Sequence, residues 1–216
     1  MFKIRSVLAT AISFTLMMCA AVVSACAHQG APPTAHADPT PMSVSADSLI
    51  VSLDDVRRIA DRSDLSSDPN FDVRQPRGMH QYDSEYPSQC QVEFDQDVAF
   101  GNDWKQFRSV EYSGAGNNAV TQAVAIYSDP AAARAAFDRV SSALTACSGL
   151  QVPNLAFTVR QQDPSTVARC GDNQCSELYR VKSSVLISVA VAHFPRTAEQ
   201  IANSVLQTIS DRINTA

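Results

Sequence analysis

The stretch Val185–Ala192, "VLISVAVA", sorts its residues by size with a period of two. In an extended chain Val185, Ile187, Val189 and Val191 share one side, and Leu186, Ser188, Ala190 and Ala192 share the other. The bulky side packs a core. The side of small residues lets a helix, or a ligand, come close. A chain with such a strand is committed to a sheet with helices laid against it, and the remaining segments agree.

"SELYRVK" precedes this strand and forms a hairpin with it through Ser183 and Ser184. "QFRSVEYSG" and "NNAVTQAVAIYS" flank Gly114–Asn117 as a second hairpin, with Val120, Val124 and Ile126 on one face and Gln122 among them. "LAFTVRQQ" alternates as a further strand. Three helices are signalled. Ser52, with Asp55 in the capping-box position, starts one that aligns Leu53, Val56 and Ala60. Ser128 or Asp129, followed by Pro130, starts the second, and Ala133, Phe137, Val140, Leu144 and Cys147 make its stripe before Gly149 stops it. Thr197 with Gln200 starts the last, which turns Ile201, Val205, Ile209 and Ile213 inward. Residues 71–88, with Pro76, Gly78 and Pro87, read as loop with one short strand. The expected fold class is α+β, an antiparallel β-sheet with helices packed against it.

The N-terminus sets the address. Lys3 and Arg5 precede an uncharged apolar run from Val7 to Val23, which is the layout of an export signal. The run is short for a membrane span, which needs roughly 20 residues, so a retained helix is the weaker alternative. "VSAC", Val23–Cys26, resembles the bacterial lipobox, in which the cysteine is acylated and the chain is cut before it. On that reading residues 1–25 are a lipoprotein signal peptide. Cys26 is then the lipidated first residue of the mature protein, held at the extracytoplasmic face of the cell membrane by several acyl chains. Residues 26–47, rich in Pro, Ala and Thr, form a tether too poor in bulky residues to pack. His28 and His36 within it read as solvated. Residues 48–216 form one domain.

Removing Lys3 and Arg5 moves the formal charge from −5 to −7. No basic cluster is left to grip phosphates, which excludes a nucleic-acid partner. Cys19 leaves with the signal, so Cys90, Cys147, Cys170 and Cys175 remain, an even set in an exported chain. Three pairings are possible. "CGDNQC" has the composition of a hairpin turn, which favours Cys170 with Cys175 and leaves Cys90 for Cys147. A redox pair or half a zinc site at Cys170 and Cys175 would need C-x-x-C spacing or a nearby histidine.

The order of parts, "AVAIYSDPAAARAAFDRVSSALTAC", then "CSELYRVKSSVLISVAV", then "TAEQIANSVLQTI", resembles the PknH-like extracellular (sensor) domain of actinobacterial envelope proteins. That domain occurs on a receptor serine/threonine kinase and on free-standing lipoproteins. The resemblance runs from about Asp47 to Ala216. It implies a cleft between sheet and helices that takes an envelope ligand. It also implies a second disulfide from the position of Cys175 to a cysteine late in the next strand; here that region reads "SVAVAHF" and Cys170 stands in its place. Tryptophans usual in the family near the second and third cysteines are replaced around Ala146 and Gln174.

Three roles compete. The favoured one is a non-catalytic ligand-binding or sensor-like domain for an unknown small envelope ligand. Its cleft candidates are the polar and aromatic residues that interrupt alternation: Trp104, Tyr112, Gln122, Tyr179 and His193. The second is an accessory or scaffold protein docking on another envelope protein. The third, an enzyme, lacks support: no G-x-S-x-G, H-E-x-x-H or G-x-G-x-x-G occurs, and His80 and His193 are the domain's only histidines. No cofactor and no metal site is expected. Glu93, Asp95 and Asp97 read as a solvated acidic segment.

Overall fold

A computed structural model describes residues 44–171, 174–194 and 197–215. Cys26, the signal segment and most of the tether lie outside these residues. Among the described residues no helix is long and apolar enough to cross a membrane.

Alternation of apolar and small side chains produces strands β1 (Ser66–Ser67), β2 (Trp104–Ser113), β3 (Ala119–Tyr127), β4 (Thr158–Asp163), β5 (Thr166–Cys170), β6 (Cys175–Lys182) and β7 (Val185–Ala192). They form one antiparallel sheet in the order β1-β2-β3-β7-β6-β5-β4. Both hairpins read from the sequence are present. The β6–β7 turn places Ser183 in the left-handed region, at φ 51°, as a tight two-residue connection requires. β5 completes the hairpin closed by Cys170 and Cys175.

Helices α1 (Ala46–Leu49), α2 (Leu53–Ala60) and α5 (Ala198–Thr215) lie on one face of the sheet; α3 (Gln96–Phe100) and α4 (Pro130–Gly149) lie on the other. The starts of α1, α2 and α4 follow from their side-chain caps. The Ser52 hydroxyl accepts from the Asp55 N–H at 3.2 Å, and the Asp129 carboxylate accepts from the Ala132 N–H at 2.9 Å. Gly149 is the last helical residue of α4 rather than its left-handed stop; Leu150 caps it with a right-handed conformation. α1 begins inside the segment read as tether, with Ser45 and Ser48 forming a reciprocal capping box and Ala46 and Leu49 buried. The first N–H of α5, that of Ala198, donates to Gln174 Oε1 at 3.1 Å, so the cap reaches over from the Cys170–Cys175 hairpin.

The sheet's first face is sealed. Val185, Ile187, Val189 and Val191 meet Ile201, Val205, Leu206 and Ile209 of α5 there. The second face is covered unevenly. The stripe of α4, Ala133, Phe137, Val140, Leu144 and Cys147, packs on Ala125, Val181 and Leu186, with Ala123 and Tyr179 in the same core. Ala190 and Ala192 lie beyond that core. Disulfides Cys90–Cys147 and Cys170–Cys175 close as the hairpin reading favours. The first ties the end of α4 to the tight turn Ser88–Glu93. The second joins the ends of β5 and β6.

Candidate functional site

The register sets the floor of the uneven face as rows running across the sheet. Under α4 the row Phe107–Ala125–Leu186–Val181 is apolar. The next, Ser109–Ala123–Ser188–Tyr179–Val167, is mixed. The third, Glu111–Thr121–Ala190–Glu177–Arg169, is polar apart from Ala190. Polarity therefore rises where helical cover ends, and the small residues of β7 leave a trough along the middle.

This trough is a groove of three connected cavities. One of about 320 Å³ lies over β2 and β3, between Ser109, Glu111 and Thr121 on the floor and Phe71, Met79 and Phe94 on the wall. A narrower one of about 190 Å³ follows at the centre, over Thr121, Ser188, Ala190, Glu177 and Tyr179. The third, about 710 Å³ and the most open, lies beyond Glu177 and Ala190 and is bordered by Arg169, Ser176, His193 and Phe194. Phe94, Gln96 and Thr121 are shared by the first and second, Glu177 and Ala190 by the second and third.

The wall is built by the loops and turns before β2. Phe94 stacks with Tyr86 at 4.7 Å and Tyr82 at 5.5 Å between ring centroids. The Asp95 carboxylate accepts from the Met79 N–H. Burial raises the Asp95 carboxyl above the usual carboxylate range. Gly78 runs so close to the wall's polar groups that an added Cβ would lie 2.6 Å from His80 Nε2 and 2.7 Å from Asp97 Oδ1. His80 Nε2 lies 2.8 Å from Asp97, which raises the imidazole's pKa. His80, Asp95 and Asp97 offer ligand atoms within 4.8 Å of one another, an arrangement that could hold a cation.

The segment read as a solvated acidic face is not one. Asp95 is 2% exposed and the Glu93 side chain 3%. The reason is the Cys90–Cys147 bond, which pulls the turn carrying Glu93 beneath the end of α4. There the Arg169 guanidinium donates to Glu93 Oε2, while Glu93 Oε1 is buried with no hydrogen-bond partner. Burial and the neighbouring Glu177 carboxylate push the Glu93 carboxyl up to about 7, against the pull of Arg169. Glu177 is raised by burial as well, partly offset by the Tyr179 hydroxyl and Arg169. The Ser188 hydroxyl lies 3.4 Å from Glu177 Oε1.

The five residues expected to line a cleft separate by face. Tyr179 and His193 line the groove, and His193 holds a left-handed conformation at φ 60°. Tyr112 and Gln122 lie on the sealed face, where both serve the backbone of Val51. Gln122 accepts from the Val51 N–H and donates to its carbonyl, both at 2.8 Å, and the Tyr112 hydroxyl donates to that carbonyl at 3.1 Å. They interrupt alternation because the chain before α2 needs buried partners, not because a ligand does. Trp104 stands at the start of β2, its indole N–H donating to the Gly101 carbonyl at 2.9 Å, away from the groove. Sequence reasoning missed Glu93, Glu177 and Arg169. Glu177 and Arg169 could have been found once β5, β6 and β7 were placed in register; Glu93 depends on the disulfide.

The family model of the PknH-like extracellular domain matches residues 41–212. The chain belongs to that family. Among solved structures, the crystal structure of the extracellular domain of PknH from Mycobacterium tuberculosis is similar, with a TM-score of 0.58 and 16% sequence identity over 79% of this chain and 95% of that one. At that identity the likeness establishes the fold. No curated protein matches the chain.

Proposed function

We propose, for this member of the PknH-like extracellular domain family, a role as an envelope lipoprotein that binds a ligand in the groove over β6 and β7 without transforming it. The domain is anchored through acylated Cys26 and presented outside the membrane. The observation that carries this reading is the groove. Small side chains at Ser188 and Ala190 hold back the floor, polar groups of the third row edge it, and disulfide-fixed loops wall it. Concave sites with a few convergent polar groups on a rigid scaffold are the usual form of small-ligand sites.

Native mass spectrometry of the full chain extracted from its envelope tests the reading. The expected result is a mature N-terminus at acylated Cys26 and a co-purifying small molecule. That molecule should be lost in Ala190→Trp, which plants an indole on the groove floor. A ligand-free wild-type chain that instead captures one membrane protein would replace this reading with an accessory role. A mature N-terminus other than acylated Cys26 would remove the anchor.

A further inference from the structure

Of the groove's three cavities, the one over β2 and β3 stands out by what its lining leaves for a ligand. Its polar side chains are already engaged with neighbours. Gln96 Nε2 donates to Ser109 Oγ at 3.0 Å, the Thr121 hydroxyl to Glu111 Oε2 at 3.1 Å, and Arg77 Nη1 to the Asn70 carbonyl at 3.1 Å. Phe71, Val73, Met79 and Phe94 supply the rest, with Gly78 between them. Phe71 is 51% exposed and Met79 48%, so two of the four large apolar side chains left exposed among the described residues stand at this one mouth. Both are held there by the backbone. Val73 exchanges hydrogen bonds with Ser109 at 2.9 Å, which ties the Phe71 segment to β2, and Asp95 binds the Met79 N–H. Apolar side chains held exposed around a concavity with a polar rim mark a binding site.

We infer that this cavity is an acyl-chain subsite. The groove's ligand is then an amphiphile, its alkyl chain between Phe71 and Met79 and its polar head over β6, towards Ser176 and His193. The inference rests on the groove being a ligand site and names the class of that ligand. An alkyl chain asks for no hydrogen bonds, which suits a lining whose polar groups are spent on one another. A peptide would bring an N–H and a carbonyl at every residue and leave them unmet here. A sugar would do the same with its hydroxyls.

The volumes agree. About 320 Å³ takes a flexible chain, and the open cavity of about 710 Å³ takes a larger head. The narrow one between them, about 190 Å³ with Thr121 and Ser188 in its lining, takes the polar junction of the two. From β2 to β6 the groove crosses three strand spacings, about 14 Å, so a ligand using both ends is elongated. The chain also joins the domain beside this mouth, since Asp47 of α1 pairs with Arg74, close to Phe71 in sequence.

The test is photocrosslinking. The full chain in phosphatidylcholine vesicles is irradiated with 1-dodecanoylglycerol carrying a diazirine at its chain end, and adducts are mapped by mass spectrometry. The expected adducts fall on Phe71, Val73, Met79 and Phe94, and unlabelled 1-dodecanoylglycerol competes for them whereas glycerol does not. They should drop about tenfold in Phe71→Glu and in Met79→Glu, which set a charge against the chain. Both positions are exposed, so the variants should melt with the wild type. Adducts on Phe71 and Met79 without Val73 or Phe94, or equal labelling of exposed Leu150 outside the groove, would mean contact with vesicle lipid and overturn the subsite. Adducts confined to Ser176 and His193 would put the chain at the other end and overturn it as well. A co-purifying molecule without an alkyl chain, lost in Ala190→Trp, would overturn the acyl subsite while sparing the groove. Neither adducts nor a co-purifying molecule would overturn both.

Discussion

The two faces of the sheet each bury polar side chains in their middle rows, and they treat them oppositely. On the sealed face Gln122 is fully buried within the row Val110–Gln122–Val189–Leu178–Ala168, and both ends of its amide are used by Val51. On the grooved face Glu93 is nearly as deep, yet one carboxylate oxygen has nothing to accept from. A satisfied buried amide specifies a fold; a half-satisfied buried carboxylate carries a standing cost.

Several changes would break or sharpen this contrast, and they fall in a clear order of size. Replacing Cys90 and Cys147 together by serine should cost about 4 kcal/mol in denaturant unfolding, since the bridge closes a long loop. The same change frees the turn that carries Glu93, so it should disorder the groove wall more than the sealed face, read by hydrogen exchange at Val92–Asp95 against Ile201–Ile209. Gln122→Leu should cost up to roughly 3 kcal/mol, because the buried Val51 N–H loses its acceptor. Binding in the groove should be untouched; a loss of binding would mean the faces are not independent.

Glu93→Gln should act with the opposite sign at alkaline pH. The carboxyl titrates near 7 in the fold against an ordinary value of 4.5, so the folded state holds a proton that the unfolded chain has released. Stability from this group is full below about pH 4.5 and lost as pH rises through 7. Removing the titration should flatten the fall between pH 5 and 8 and leave the variant about 2 kcal/mol more stable at pH 8, less than the full linkage because Arg169 loses its partner. Thermal or chemical melts across that range measure it. Asp129→Ala should cost about 1 kcal/mol by removing the α4 cap, with the loss confined to the helix over the apolar row.

Most of the framework was legible in the chain. Binary patterning exposed the hairpins and both long helices, and the size-sorting of Val185–Ala192 foretold a core-packing face and a closely approachable face opposite. The CGDNQC turn pointed to the pairing of both disulfides. The site was far less legible, and the reason is geometric. Gln122 and Tyr112 break alternation as visibly as Tyr179 does, and only register and the path of the chain near Val51 tell a backbone partner from a groove residue. Glu93 sits in a segment that reads as wet because its neighbours are acidic; its burial comes from a covalent bond to a residue 57 positions away from Cys90. The start of the packed chain at Ala46 was hidden for a related reason, since α1 is too short to show periodicity.

The strand order has a consequence for how the molecule assembles. β1, β2 and β3 form one meander and β4 to β7 another, each paired between sequence neighbours. The seam between β3 and β7, where Val120 meets Val191 and Ile126 meets Val185, joins more distant parts of the chain than any other pairing of the sheet. The hairpin β2–β3 and the meander β4 to β7 can zip up locally, whereas the seam must close a long loop before any contact rewards it. Thr121 and Ala190 meet across that seam, so the groove floor comes into being only with the last and slowest pairing. A chain stalled before it would hold both halves and no site.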